Sequence, residues 1–285
     1  MKYKIWVFLI SLLITVSMFL SSAAVEIENN DSSEANYYAV IFGVEKFKHM
    51  EFDDAVCIDE DAISIYEKLL SCRNWDENNI KMLLNENGTK PKIQNTITGW
   101  LDDKENENDI VLVYLSGHGW KTKLSERKHG NSYYLTYNCS TVFYNEDVIT
   151  DKELDNWLDA LESKHVVVIL DHCYSGRMLK LRQNGRIILA AGGKYLFCPV
   201  DEDITLGHGI FTFFLLQGMD GVADTNDDGW ITAQEAFRYA RWPTFWFSFY
   251  KNFPFITKGV GPQIPFIYNQ HIGKIPFLHY KLIIK

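Results

Sequence analysis

Five short, almost uninterrupted apolar runs constrain this chain more than any other feature: residues 37–44, 80–84, 110–115, 166–170 and 187–191. Strands that are apolar throughout, rather than at alternate positions, are covered on both faces, as in a parallel sheet lying between helix layers. The intervening stretches supply those layers. Residues 59–70, 92–101 and 151–161 carry apolar side chains at helical spacing, the first and third opening on acidic residues that suit a helix N-terminus. An α/β fold with a mainly parallel central sheet follows, and in such sheets chemistry gathers beyond the carboxyl ends of the strands.

The first residues have a different character. Lys2 and Lys4 precede an apolar run from Ile5 to Leu20, and Ser21, Ser22, Ala23 and Ala24 follow, the three-part layout of a secretory signal. Residues 1–24 are therefore expected to be removed, leaving a polar tether over 25–36 and a secreted or extracellular protein. The competing reading is an uncleaved membrane anchor, against which the run falls short of the ~20 residues a spanning helix needs. A net charge of -9 argues against a nucleic-acid partner. Cysteines stand at 57, 72, 139, 173 and 198, and an odd count in an oxidising compartment leaves a thiol unpaired.

Two loops carry candidate chemistry. The run ending at Leu115 leads into Ser116-Gly117-His118-Gly119, which delivers a histidine at a carboxyl strand end where a general base belongs. The run ending at Leu170 leads into Asp171-His172-Cys173-Tyr174-Ser175-Gly176, with a thiol just past the core. Thiol attack on an amide needs a base and donors for the oxyanion. His118 suits the first role, and the backbone N–H groups of Gly119 and Cys173 suit the second. His208-Gly209 repeats the His-Gly pair but follows no hydrophobic strand and comes after the cysteine, so it is not the expected base. His172 points away from Cys173 in extended chain and is expected to support the loop.

Tyr-Leu-Ser-Gly-His-Gly after one strand and Asp-x-Cys-x-Ser-Gly after a later one resemble the caspase and metacaspase group of cysteine peptidases, with legumain a more distant relative. The Tyr38–Val44 strand and the Asp61-Ala62 helix start are similar too, and the likeness runs from about Tyr37 to Ala240. The resemblance implies a caspase-like three-layer αβα sandwich and a Cys173–His118 dyad with no third triad member. It also implies that Asp171 and Asp61 line a pocket for a basic residue before the scissile bond, Asp59 or Glu60 being alternatives to Asp61. The basic stretch Arg177, Lys180, Arg182 and Arg186 would then be a target for self-cleavage, and Lys121 to His129 is a second basic loop of the same kind.

Residues 224–235 are a separate constellation. Asp224, Asn226, Asp228 and Glu235 stand at positions 1, 3, 5 and 12 of a loop with Gly229 at position 6, the spacing by which an EF-hand-like loop wraps calcium. Trp230 would add its carbonyl, and Thr232 its side chain or a water. Ca2+ is the expected cofactor, as a structural clip ahead of a helix over 233–240. From Trp242 to Phe255 eight aromatics follow. The segment 242–285 is expected to pack on the domain over 37–241, a weak membrane-surface contact being the alternative.

The reading is a secreted, monomeric, calcium-binding cysteine endopeptidase that cuts peptide or protein substrates after Arg or Lys. A legumain-like Asn/Asp-specific peptidase or ligase, and a catalytically silent calcium-binding scaffold, are the rivals.

Overall fold

Every residue of β1 (Tyr37–Val44) after its first is buried, as expected of a strand inside a doubly covered sheet. The computed structural model describes residues 35–49, 57–121, 132–140, 147–193, 202–253 and 261–280. The 1–24 signal, most of the tether, nearly all of the 121–129 loop and Cys198 lie outside them.

After β1 come α1 (Ile58–Leu70), β2 (Ile80–Leu84), α2 (Lys90–Asn95) with a wider helical turn over Thr96–Leu101, and β3 (Ile110–Gly117). A small antiparallel sheet follows, made of β4 (Gly119–Lys121), β5 (Ser132–Leu135) and β6 (Val148–Thr150). Next are α3 (Asp151–Leu158), β7 (His165–Asp171), β8 (Arg186–Ala190) and a hairpin of β9 (Glu202–Asp203) and β10 (His208–Gly209). The chain continues with α4 (Ile210–Gln217), β11 (Trp230–Thr232), α5 (Ala233–Asn252), β12 (Phe266–Asn269) and β13 (Pro276–His279).

The central sheet has the order β12-β8-β7-β3-β1-β2. Its strands are parallel except β12, which pairs antiparallel with β8. Because side chains alternate across a strand, the apolar runs feed two cores. Ile41, Leu112 and Ile169 pack on one side with Ile65 of α1, Phe211 of α4 and Phe237 of α5. Val40, Val113 and Val168 pack on the other with Ile93 of α2 and Leu154 of α3. Two helix layers around one sheet make the expected αβα sandwich.

Sequence pattern and structure part at three places. Arg186 does not belong to an exposed basic stretch: it is buried at the head of β8, with its guanidinium 2.9 Å from Asp155 and 2.6 Å from Asp159. The edge strand β12 and the β4–β6 sheet are too short to register as apolar runs. The helix after the 224–235 loop does not stop at residue 240 but runs through Pro243 to Asn252. Proline costs a helix one backbone bond, yet Ala240, Thr244 and Ser248 hold the same face of α5 buried on either side of it.

Candidate active site

β3 and β7 are neighbours, and their parallel register sets Ser116 opposite Asp171. Two residues further on, each chain leaves the sheet at the same edge, one with His118 and the other with Cys173. Both are partly exposed. Gly119 brings the loops into contact: a Cβ there would fall 2.1 Å from the Cys173 carbonyl oxygen and 2.4 Å from His172 Nδ1. Only glycine permits that approach.

Each loop is braced from behind. The His118 carbonyl accepts the Leu135 N–H at 2.9 Å, and the ring lies 5.7 Å from that of Phe47. His172 is fully buried and its Nδ1 lies 2.9 Å from the Cys173 carbonyl, so Nδ1 carries the proton and donates it there. Burial holds this imidazole down to about 4, hence neutral. Tyr174 turns the chain with φ 62°. Ser175 Oγ then accepts the Gly192 N–H at 2.8 Å, and the Gly176 N–H reaches the Gly192 carbonyl at 3.1 Å.

Asp171 and Asp61 meet under the same edge. Both are buried, and a Cβ on Gly209 would lie 2.8 Å from Asp61 Oδ2 and 3.2 Å from Asp171 Oδ2. Burial pushes Asp171 up to about 6 although Thr212 donates to its Oδ2 through both N–H and hydroxyl. Tyr114 Oη lies 2.8 Å from that hydroxyl oxygen and extends the chain of donors. Burial first, and the Asp171 charge second, raise Asp61 well above the usual carboxylate range. Asp61 accepts the Gly209 N–H at 3.1 Å and His208 Nδ1 at 2.8 Å. Asp171 Oδ1 is buried with no hydrogen-bond partner among the described residues. Asp59 instead meets Asn85 at 3.2 Å, and Glu60 is exposed. The sequence ranks His208 only as a poor base and passes over Thr212 and Tyr114 altogether. Their signal, a β10–α4 turn packing on the β7 end, is tertiary.

The 224–235 loop is held by its own side chains. Asp224 Oδ2 accepts the Gly229 N–H at 2.9 Å, Asp228 Oδ1 accepts the Trp230 N–H at 2.8 Å, and Asp227 and Gly229 take φ of 55° and 82°. Glu235 at position 12 is engaged elsewhere: Oε2 accepts the Thr232 N–H and hydroxyl, capping α5, while Oε1 faces Lys274 Nζ at 3.0 Å. β11 pairs with β13 rather than with a second loop of its kind.

The description of the metacaspase peptidase C14 domain matches residues 39–182, half of the chain. Among solved structures, the chain is similar to the crystal structure of protein GSU0716 from Geobacter sulfurreducens. The TM-score is 0.57 at 13% identity, covering 87% of this chain and 98% of that one, a likeness of fold. No curated protein sequence matches.

Proposed function

The chain belongs to the metacaspase C14 peptidase family and is a cysteine endopeptidase acting on peptides or proteins, and we propose that Cys173 is its nucleophile, His118 its acid and base, and Lys or Arg its preferred residue before the scissile bond. The observation that carries this reading is the β3–β7 register, which sends both loops off one sheet edge. In the proposed cycle the Cys173 sulfur bonds to the scissile carbonyl carbon as His118 takes the thiol proton. The carbonyl oxygen gains the negative charge, toward which the Gly119 and Cys173 N–H groups are expected to donate. His118 returns the proton to the leaving amine as the C–N bond breaks. It next deprotonates the water that hydrolyses the thioester, restoring the thiol.

The basic preference is supported by the bare acceptor at Asp171 Oδ1. A buried carboxylate oxygen without a donor is costly, and a substrate ammonium or guanidinium would supply one. The same acids disfavour an aspartate side chain. The test is a panel of matched peptides with Arg, Lys, Asn or Asp before the cleaved bond, run against wild type and Cys173→Ala. Cleavage confined to Arg and Lys peptides and lost in Cys173→Ala is expected. Asn or Asp cleavage would move the reading to the legumain-like alternative, and cleavage that survives Cys173→Ala would end the assignment of the nucleophile.

Secretion is part of the proposal and is supported by the Lys2–Ala24 pattern. So is calcium at 224–235. Asp224, Asn226, Asp228, the Trp230 carbonyl, Thr232 and Glu235 are the oxygen donors that would hold it once Lys274, a half-exposed side chain, swings off Glu235. The ion would supply a structural cross-link between the loop and α5.

A further inference from the structure

We propose that the outward face of α5 docks this protein onto an anionic lipid bilayer. The helix is inverted relative to an ordinary surface helix. Its buried residues are Ala233, Glu235, Ala236 and Phe237 in the first turns and then only small or polar ones, Ala240, Thr244, Ser248 and Asn252. Two of its hydroxyls turn back on the helix: Thr244 Oγ1 donates to the Ala240 carbonyl and Ser248 Oγ to that of Thr244, each at 2.8 Å. Its solvent face is aromatic. Trp242 is 56% exposed, Trp246 50%, Tyr250 71% and Phe253 63%.

These rings form one continuous strip. Trp242 touches Phe245 edge-on at 6.0 Å, Trp246 and Phe249 pack at 5.8 Å, and Phe249 and Phe253 at 5.6 Å. A contiguous exposed apolar patch marks a partner, and Trp and Tyr are the side chains that settle at the level of lipid headgroups. Among the described residues no helix is long and apolar enough to cross a membrane, so α5 would lie along the surface, as an interfacial helix does.

Charge selects lipid over a second copy of the chain. After Glu235 the sequence contains seven Lys and Arg and no Asp or Glu, although the whole chain carries -9. On α5 itself, Arg238 and Arg241 stand at the start of the stripe, Lys251 near its end pairs with Asp203, and no acid follows Glu235; a negatively charged surface is the complement of the two guanidiniums. At the start of the stripe a cleft of about 310 Å³ is lined by Phe237, Arg238, Arg241, Trp242 and Ile267. The Arg241 guanidinium lies 5.1 Å from the centroid of the Trp242 ring. Two guanidiniums beside an apolar wall suit a headgroup phosphate above its acyl chains.

The test uses the chain from Val25 onward, which keeps the whole compact unit 35–285. Binding is read by co-sedimentation and tryptophan emission with phosphatidylcholine vesicles and with vesicles that also contain phosphatidylglycerol. Wild type is expected to bind the anionic vesicles at least about tenfold more tightly, with blue-shifted emission and a loss of binding at high salt. Trp242→Ser/Trp246→Ser and Arg238→Gln/Arg241→Gln should each lose about tenfold, while cleaving a short soluble peptide like wild type. No association of wild type with either vesicle, or equal association by the tryptophan variant, overturns the proposal. So does a wild-type dimer, seen by sedimentation equilibrium, that Trp242→Ser/Trp246→Ser dissociates, because a second copy would then own the face.

Discussion

Nδ1 of His208 stands 2.8 Å from Oδ1 of Asp61, so one of the two acids beneath the Asp171 loop is already engaged by the chain itself. Burial lowers the His208 pKa, partly offset by Glu60, and the neutral ring donates to Asp61 rather than neutralising it by charge. Among the described residues, the two acids consequently leave Asp171 Oδ1 as a bare acceptor. An ammonium is satisfied by a single acceptor, whereas a guanidinium gains from two held side by side.

His208→Ala uncovers the second acid. The ratio of kcat/KM for Arg over Lys peptides is expected to rise about three- to tenfold, less than the ~1.5–3 kcal/mol of a full charged hydrogen bond because water refills the space. Paired steady-state assays of the two peptides read the ratio. If it does not move, His208 has no part in selectivity.

Adjacent residues in the same loop set opposite pH dependences. Burial holds Asp171 up at about 6 against 3.8, and His172 down at about 4 against 6.5. Folded Asp171 binds its proton more tightly than the unfolded chain does, so its contribution is complete below about 3.8 and is lost as pH rises through about 6. His172 does the reverse: its contribution is complete above about 6.5 and is lost as pH falls through about 4. Between these limits each slope is bounded by ~1.4 kcal/mol per pH unit, and the two oppose. Asp171→Asn removes one of them. Relative to wild type, its stability should climb as pH is raised from about 4 to about 6, and it should lose cleavage of basic peptides while Cys173 still alkylates. Denaturation curves across that range decide it; parallel profiles for the two proteins would discard the balance.

The sheet was legible because continuous apolar runs have few other uses: residues 37–44 and 80–84 became strands with those very limits. That His118 and Cys173 stand just past the ends of neighbouring strands was legible because each follows such a run within three residues. What could not be read is contact between distant segments. Nothing local marks Thr212 as the donor to Asp171, 41 positions away, or His208 as the partner of Asp61, 147 positions away. In the tail, β12 pairs with β8, and Ile275, Phe277 and Leu278 join the core; the part that could not be read is which rings of α5 face outward. Trp and Phe are ordinary core residues, so packing on the domain was the default expectation. Only the observed orientation of α5 shows that, past Phe237, small and polar residues face inward and Trp242, Trp246 and Tyr250 outward, and the 3.6-residue repeat that could have revealed it is broken to the eye by Pro243.

Lys274 occupies the Glu235 oxygen that a calcium ion would need. Calcium is therefore expected to raise the melting temperature of wild type, as any ligand of the folded state does. Lys274→Met should bind it about 1.5- to 5-fold more tightly, since an ion pair whose lysine is half-exposed is worth only ~0.2–1 kcal/mol and its removal leaves Glu235 ready. Thermal shift with titrated calcium and a chelator blank measures both. A wild-type melting point indifferent to calcium, with the same result for Lys274→Met, would leave the loop as a purely hydrogen-bonded clip.

The last prediction concerns the closeness of the His118 and Cys173 loops themselves. A methyl group on residue 119 would meet backbone oxygen at 2.1 Å and a buried ring nitrogen at 2.4 Å. Neither is the end of a flexible side chain, so the loops must separate. Overpacking of this kind costs about 1–3 kcal/mol, and a displacement near 1 Å between reacting groups can lower rate by ~10²-fold. Gly119→Ala is expected to remain folded, to lose at least that much in kcat/KM, and to slow Cys173 alkylation, because in the proposed dyad His118 would no longer share the thiol proton. Gly117→Ala is the comparison: its Cβ would touch Tyr134 and the Val44 carbonyl at 3.0–3.1 Å without pushing on Cys173, so a stability loss with alkylation unchanged is expected. If Gly119→Ala kept the wild-type rate, the thiol and the imidazole would not depend on this contact, and the dyad would need another support.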